Sequence, residues 1–116
     1  MGASLPRLTE AQVKHYIPDP YFERGRKYYH NGQITDTVRR GEGLEGDCEG
    51  SVPEPYRVRV TLAEGGGIVG DACSCPMGGG CKHVVALLLA WVHESEKFAR
   101  REPVEVVLEQ IGRAHV

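Results

Sequence analysis

Apolar and polar positions alternate most cleanly from residue 56 to residue 62. Tyr56, Val58, Val60 and Leu62 fall on one side and Arg57, Arg59 and Thr61 on the other. A period of two over seven residues predicts a strand with one buried and one wet face. Glu64-Gly65-Gly66-Gly67 reads as a hairpin turn, and Ile68 to Cys73 as the return strand. Upstream, Gln33 to Arg39 is rich in Thr, Ile and Val and predicts another strand. Gly41-Glu42-Gly43 predicts a turn. Leu44 to Cys48 predicts a strand with Leu44, Gly46 and Cys48 on one face.

The period changes at both ends of this region. Thr9 followed by Gln12 predicts a capping box, with Val13, Tyr16 and Ile17 as the apolar side of a short helix that Pro18 ends. Asp19-Pro20 predicts a second helix start, with Asp19 as the N-cap. That helix is expected to run to about His30, with Gly32 in the left-handed position after it. Tyr21, Phe22, Gly25, Tyr28 and Tyr29 make its apolar side; Arg24, Arg26 and Lys27 make its wet side. Beyond His83 the pattern is helical to about Phe98. Val84 to Val92 is apolar on every side, so this helix is expected to lie between the sheet and another helix. Arg100 to Glu102 reads as a hinge before Pro103, and Val104 to Ile111 fits a last short helix. The fold class is therefore α+β: a small antiparallel sheet of about four strands packed with helices. The main domain is expected over residues 1–98, with 99–116 as a short helix or a linker to a larger chain.

Length and charge narrow the function classes. A chain of 116 residues is one domain with a core of ordinary size. The net charge is −2, and neither half is strongly basic, so a nonspecific electrostatic grip on nucleic acid is not implied. The longest apolar run is nine residues, far below the roughly 20 that span a bilayer. No signal peptide is visible in residues 1–20, and an intracellular, reducing setting in the cytoplasm is expected, with no membrane and no small-molecule substrate.

The chemistry concentrates in Cys73-Ser74-Cys75-Pro76-Met77-Gly78-Gly79-Gly80-Cys81-Lys82-His83. Cys73 and Cys75, two apart on an extended segment, present both sulfurs to one side. Pro76 stops the strand, and the three glycines let the backbone fold over. Cys81 and His83 then enter the first turn of a helix, whose N-terminus favours thiolate. Three thiolates and one imidazole form a complete tetrahedral shell for one structural zinc ion, which leaves no position open for catalysis. Two other readings stand beside it: small buried thiols next to a chance histidine, and a redox pair of Cys73 and Cys75, although the spacing is not Cys-x-x-Cys. His15, His30, His93 and His115 are scattered and read as surface residues. Cys48 reads as a core residue, and Trp91 as core.

The order Cys-x-Cys, five residues, Cys-x-His and then an apolar helix resembles the SWIM zinc-finger family. Arg24-Gly25-Arg26-Lys27-Tyr28-Tyr29-His30-Asn31-Gly32 is similar to the RG-x-x-YY-x-x-G lead segment of bacterial members, and Pro55-Tyr56-Arg57-Val58 to the family strand. The resemblance spans about residues 20 to 98. It implies that Cys73, Cys75, Cys81 and His83 are the zinc ligands. It also implies a noncatalytic module that contacts DNA or protein, accessory to a helicase-like remodelling ATPase in the same or a neighbouring chain. It assigns no partner surface. Two candidates come from the residues themselves: the Arg24/Lys27 helix face and the Arg57/Arg59 strand face, with Arg39 and Arg40 near the latter if the strands form a meander. The plainer reading of both is a solvated face, the strand arginines being paired with Glu42, Glu45, Glu49 or Glu54. A protein-only adaptor and a thiol redox switch are the alternatives to nucleic-acid contact.

Overall fold

The computed structural model describes residues 7–64 and 66–101. Of three helices, α1 (Glu10–Tyr16), α2 (Tyr21–His30) and α3 (Lys82–Glu94), α3 packs on a five-stranded sheet and α1 and α2 pack against α3. The strands are β1 (Ile34–Arg40), β2 (Gly43–Cys48), β3 (Tyr56–Leu62), β4 (Ile68–Cys73) and β5 (Ala99–Arg101), in the order β4-β3-β2-β1-β5. β1 to β4 form an antiparallel meander, and β5 joins β1 in parallel.

The α+β class is as expected, but the sheet has five strands where about four were expected. Arg100 and Arg101, read as part of a hinge, pair with Arg39 and Arg40. An Ala-Arg-Arg segment has no alternation to reveal it. It becomes a strand because β1 offers a free edge to whatever chain passes alongside. The sheet therefore runs past residue 98. The helix expected over 104–111 lies outside the described residues.

Alternation holds where it was clearest. In β2 and β3, Leu44, Gly46, Cys48, Val58, Val60 and Leu62 are buried, while Arg57, Arg59 and Thr61 are exposed. β1 is less regular. Residues Asp36 and Thr37 together oppose Gly46, with Asp36 at φ 53°, so β1 carries a bulge.

α3 is central as its composition requires: every residue from His83 to Trp91 is buried. It ends at Glu94, earlier than the expected Phe98. A 3-10 turn over Ser95–Lys97 follows, and the chain folds back so that the Phe98 ring meets Trp91 edge-on at 5.1 Å. Burying Phe98 against Trp91 ends the helix, a tertiary contact that periodicity does not encode.

α1 carries the expected capping box: the Gln12 N–H donates to Thr9 Oγ1 and the Thr9 N–H to Gln12 Oε1. α2 starts one residue later than expected. Pro20 occupies the N-cap position, and Asp19 Oδ1 accepts from the Glu23 N–H at 3.1 Å. Asp19 still caps the helix, from one position further out. Gly32 adopts φ 72°, as expected after α2. α2 and α3 cross very closely at Gly25. A Cβ at that position would lie 2.5 Å from the Lys82 carbonyl oxygen and 2.4 Å from Val85 Cβ. This approach sets α2 beside the first turn of α3, where two of the four candidate ligands sit.

Candidate metal centre

Cys73 ends β4, on the same inward face as its pairing partner Val58. The chain then turns. The Cys73 N–H donates to the Gly78 carbonyl at 2.8 Å and the Gly78 N–H to the Cys75 carbonyl at 2.9 Å. Gly78 at φ 80° and Gly80 at φ 58° occupy the left-handed region, where a side chain would be strained. Cys81 forms the N-cap of α3, its carbonyl accepting from Val84 and Val85, and His83 lies in the first turn.

This path brings the donor atoms of Cys73, Cys75, Cys81 and His83 within 4.8 Å of one another, all four residues being buried. Cys75 Sγ lies 3.7 Å from Cys81 Sγ. His83 Nδ1 lies 3.6 Å from Cys73 Sγ and from Cys81 Sγ. Bond lengths of ~2.3 Å to sulfur and ~2.05 Å to nitrogen imply tetrahedral edges of about 3.75 Å (S···S) and about 3.55 Å (S···N). These three edges thus have the lengths of a zinc tetrahedron, with Nδ1 as the imidazole donor.

Charge leads to the same conclusion. The Cys81 thiol is held below its ordinary range, chiefly by hydrogen bonding with Cys73, and also by the His83 ring and the first-turn N–H groups. Cys73 is pushed up, chiefly by Cys81 and then by burial. Neighbouring buried sulfurs cannot all ionise unaided, whereas a divalent cation among them stabilises every thiolate. The residues present therefore fit zinc.

Residues 56–91 match the family model of the SWIM zinc finger. This segment is a SWIM zinc finger. The match takes in β3, β4, the four donors and most of α3; the Arg24–Gly32 lead segment lies outside it. No curated protein and no solved structure matches the chain. Together with the four-donor cluster, the match assigns one structural zinc to the SWIM finger.

The surroundings of the SWIM centre include residues that sequence reasoning missed. Asp71 Oδ1 accepts the Gly80 N–H at 2.7 Å, and its other oxygen accepts the Tyr16 hydroxyl. One carboxylate thereby ties the glycine loop to α1. Its signal was its parity with Cys73: an acid on an inward face needs partners. The His83 ring packs between Tyr56 (centroids 4.7 Å apart, 37°) and Tyr28 (5.5 Å, edge-on). These rings fix the imidazole orientation. Only the close packing of α2 on α3, with α3 lying on β3, places them there.

Other expected roles sort as follows. Cys48 is fully buried in the core, outside the four-donor set, with its thiol pushed up to about 12 mainly by burial. Trp91 is in the core. His93 bonds Glu10 at 2.6 Å and stacks on Tyr29. His15 and His30 are exposed, and His115 lies outside the described residues.

The two candidate partner surfaces are separate. Arg24 and Lys27 lie on the outward side of α2. Arg57 and Arg59 lie on the outward face of the sheet, where Arg57 Nε meets Asp47 at 2.9 Å and Arg59 stands opposite Glu45. Arg40 shares that face and pairs with Glu45 at 3.4 Å. Arg39, expected near them, turns inward instead, its guanidinium 6.0 Å from the centre of the Trp91 ring. Strand parity divides Arg39 from Arg40.

Proposed function

We propose that the SWIM finger, a zinc-binding module, is noncatalytic and binds nucleic acid through the Arg24/Lys27 side of α2, as an accessory to a helicase-like remodelling ATPase in the same or a neighbouring chain. Four protein donors complete the zinc shell, so the metal serves the fold and function belongs to the surfaces it holds. The observation that carries the reading is the contrast between the two basic faces. On the sheet, acids are interleaved with the arginines in register. On α2, Arg24 and Lys27 sit one turn apart, and among the described residues neither makes an ion pair.

The test is binding of labelled DNA to the zinc-loaded protein across a salt series. Affinity should fall steeply with salt. Arg24→Ala/Lys27→Ala should flatten that dependence by roughly one log unit per log unit of salt for each phosphate that is no longer neutralised. No binding even at low salt refutes the reading. A protein-only adaptor is the second reading. It is favoured by exposed Val52, Val69 and Met77 and by the net charge of −2.

A further inference from the structure

Between α2 and the zinc loop lies a groove of about 320 Å³, lined by Tyr21, Arg24, Tyr28, Tyr56, Met77 and Lys82 among others. We propose that it receives an unpaired nucleotide of single-stranded nucleic acid, the base against the tyrosine rings and the phosphate between Arg24 and Lys82. This rests on the nucleic-acid reading above and narrows it to unpaired strands.

Three observations converge here. The first is charge. Arg24 and Lys82 line the groove, and among the described residues no carboxylate does. The zinc centre in its wall, with three thiolates, a neutral imidazole and a divalent ion, carries one net negative charge. The two cations outweigh it, so the groove is matched to an anion.

The second is the number and fixation of the rings. Three tyrosines meet in one small concavity. Tyr28 and Tyr56 are both held against His83. Lys82 Nζ sits 4.9 Å from the Tyr28 ring centre, and the Arg24 guanidinium 5.8 Å from that of Tyr21. Cation–π contacts therefore hold both charges at the groove before any ligand arrives. Groups ordered in advance lose little entropy on binding.

The third is shape. The groove's volume lies at the low end of the roughly 300–1,000 Å³ typical of ligand pockets. It suits one planar group and not the width of a duplex. Base–aromatic stacking requires a base free of its pair, and it tolerates any base because each has a π face. A phosphopeptide would use the two cations but leave three aromatic rings without a role.

The test uses zinc-loaded protein and fluorescence anisotropy with labelled oligothymidylate, a duplex of equal length and a phosphopeptide. Zinc content and melting temperature are checked for every variant. Oligothymidylate should bind at least tenfold more tightly than duplex. Tyr21→Ala should weaken it by roughly tenfold, and Tyr21→Phe should not. Tyr56→Phe, which keeps both the ring and its packing on His83, should also bind normally, while Tyr56→Leu should bind more weakly. Arg24→Ala/Lys82→Ala should reduce the log–log salt slope by about 0.7, the value for the one single-strand phosphate held between them. Duplex binding as tight as single-strand binding, with the tyrosine variants unaffected, overturns the groove assignment while leaving the nucleic-acid reading standing. Binding of the phosphopeptide alone overturns both.

Discussion

Replacing Gly25 with alanine tests the packing that holds the SWIM centre together. The added methyl would meet Val85 Cβ at 2.4 Å, the Lys82 carbonyl oxygen at 2.5 Å and Val85 Cγ1 at 2.6 Å. Two of these atoms are fixed by backbone, so no rotamer change relieves the clash. α2 must move off α3. Overpacking of this kind costs about 1–3 kcal/mol, and the rigidity of the opposing atoms puts Gly25→Ala at the upper end, about 3 kcal/mol. Against this, alanine gains about 1 kcal/mol over glycine inside a helix. The net destabilisation is about 2 kcal/mol, or roughly 8–16 °C of melting temperature for a domain of this size. Thermal unfolding of the zinc-loaded protein, followed by circular dichroism, measures it. Two controls share the chemistry. At Gly46 a Cβ would meet only the mobile end of Leu87, Cδ1, below 3.0 Å, so Gly46→Ala should cost less. At Gly70 nothing lies within 4 Å, so Gly70→Ala should change the melt least. If Gly25→Ala melts at or above the parent temperature, the close crossing of α2 and α3 is not what holds them in register.

Zinc removal by a strong chelator, or Cys81→Ser, should unfold the end of β4 and the start of α3. Metal binding and folding are linked here, so an unchanged melt after verified zinc removal refutes this. Asp71→Ala should lower stability by about 1–3 kcal/mol by removing the two hydrogen bonds that its carboxylate accepts, from the Gly80 N–H and the Tyr16 hydroxyl, and amide exchange at Gly80 should rise. Tyr16 is pushed up to about 12 by burial first and by Asp71 second; Tyr29 is pushed up to about 12 by burial first and by Glu94 second. The folded state thus keeps both phenols neutral after the unfolded chain, at about 10, has released their protons. Their stabilisation is complete below pH ~10 and is lost as pH rises towards ~12, which denaturant melts across that window should show as falling stability. Arg57→Ala should cost at most about 1 kcal/mol despite its 2.9 Å ion pair with Asp47, because the arginine side chain is 74% exposed.

Much of the fold was legible because its information is local. β3 shows a period of two that the core then uses. α1 carries its own cap in Thr9 and Gln12. All four donors lie within eleven residues, so residue type and spacing pointed to them, and Gly78 and Gly80 between them take left-handed conformations in the loop that closes the shell. What remained hidden depends on groups distant in the chain. β5 exists because the edge of β1 was open, and α3 stops at Glu94 because Phe98 finds Trp91. Asp71 joins Tyr16 to Gly80 across 55 and 9 residues. Tyr28 and Tyr56 meet on His83 only once Gly25 lets α2 press against α3. The sequence by itself therefore determined the zinc centre, a chelate of near neighbours. Tertiary structure decided which arginines of the sheet are paired with acids and which rings surround the histidine, because those depend on strand register and helix approach.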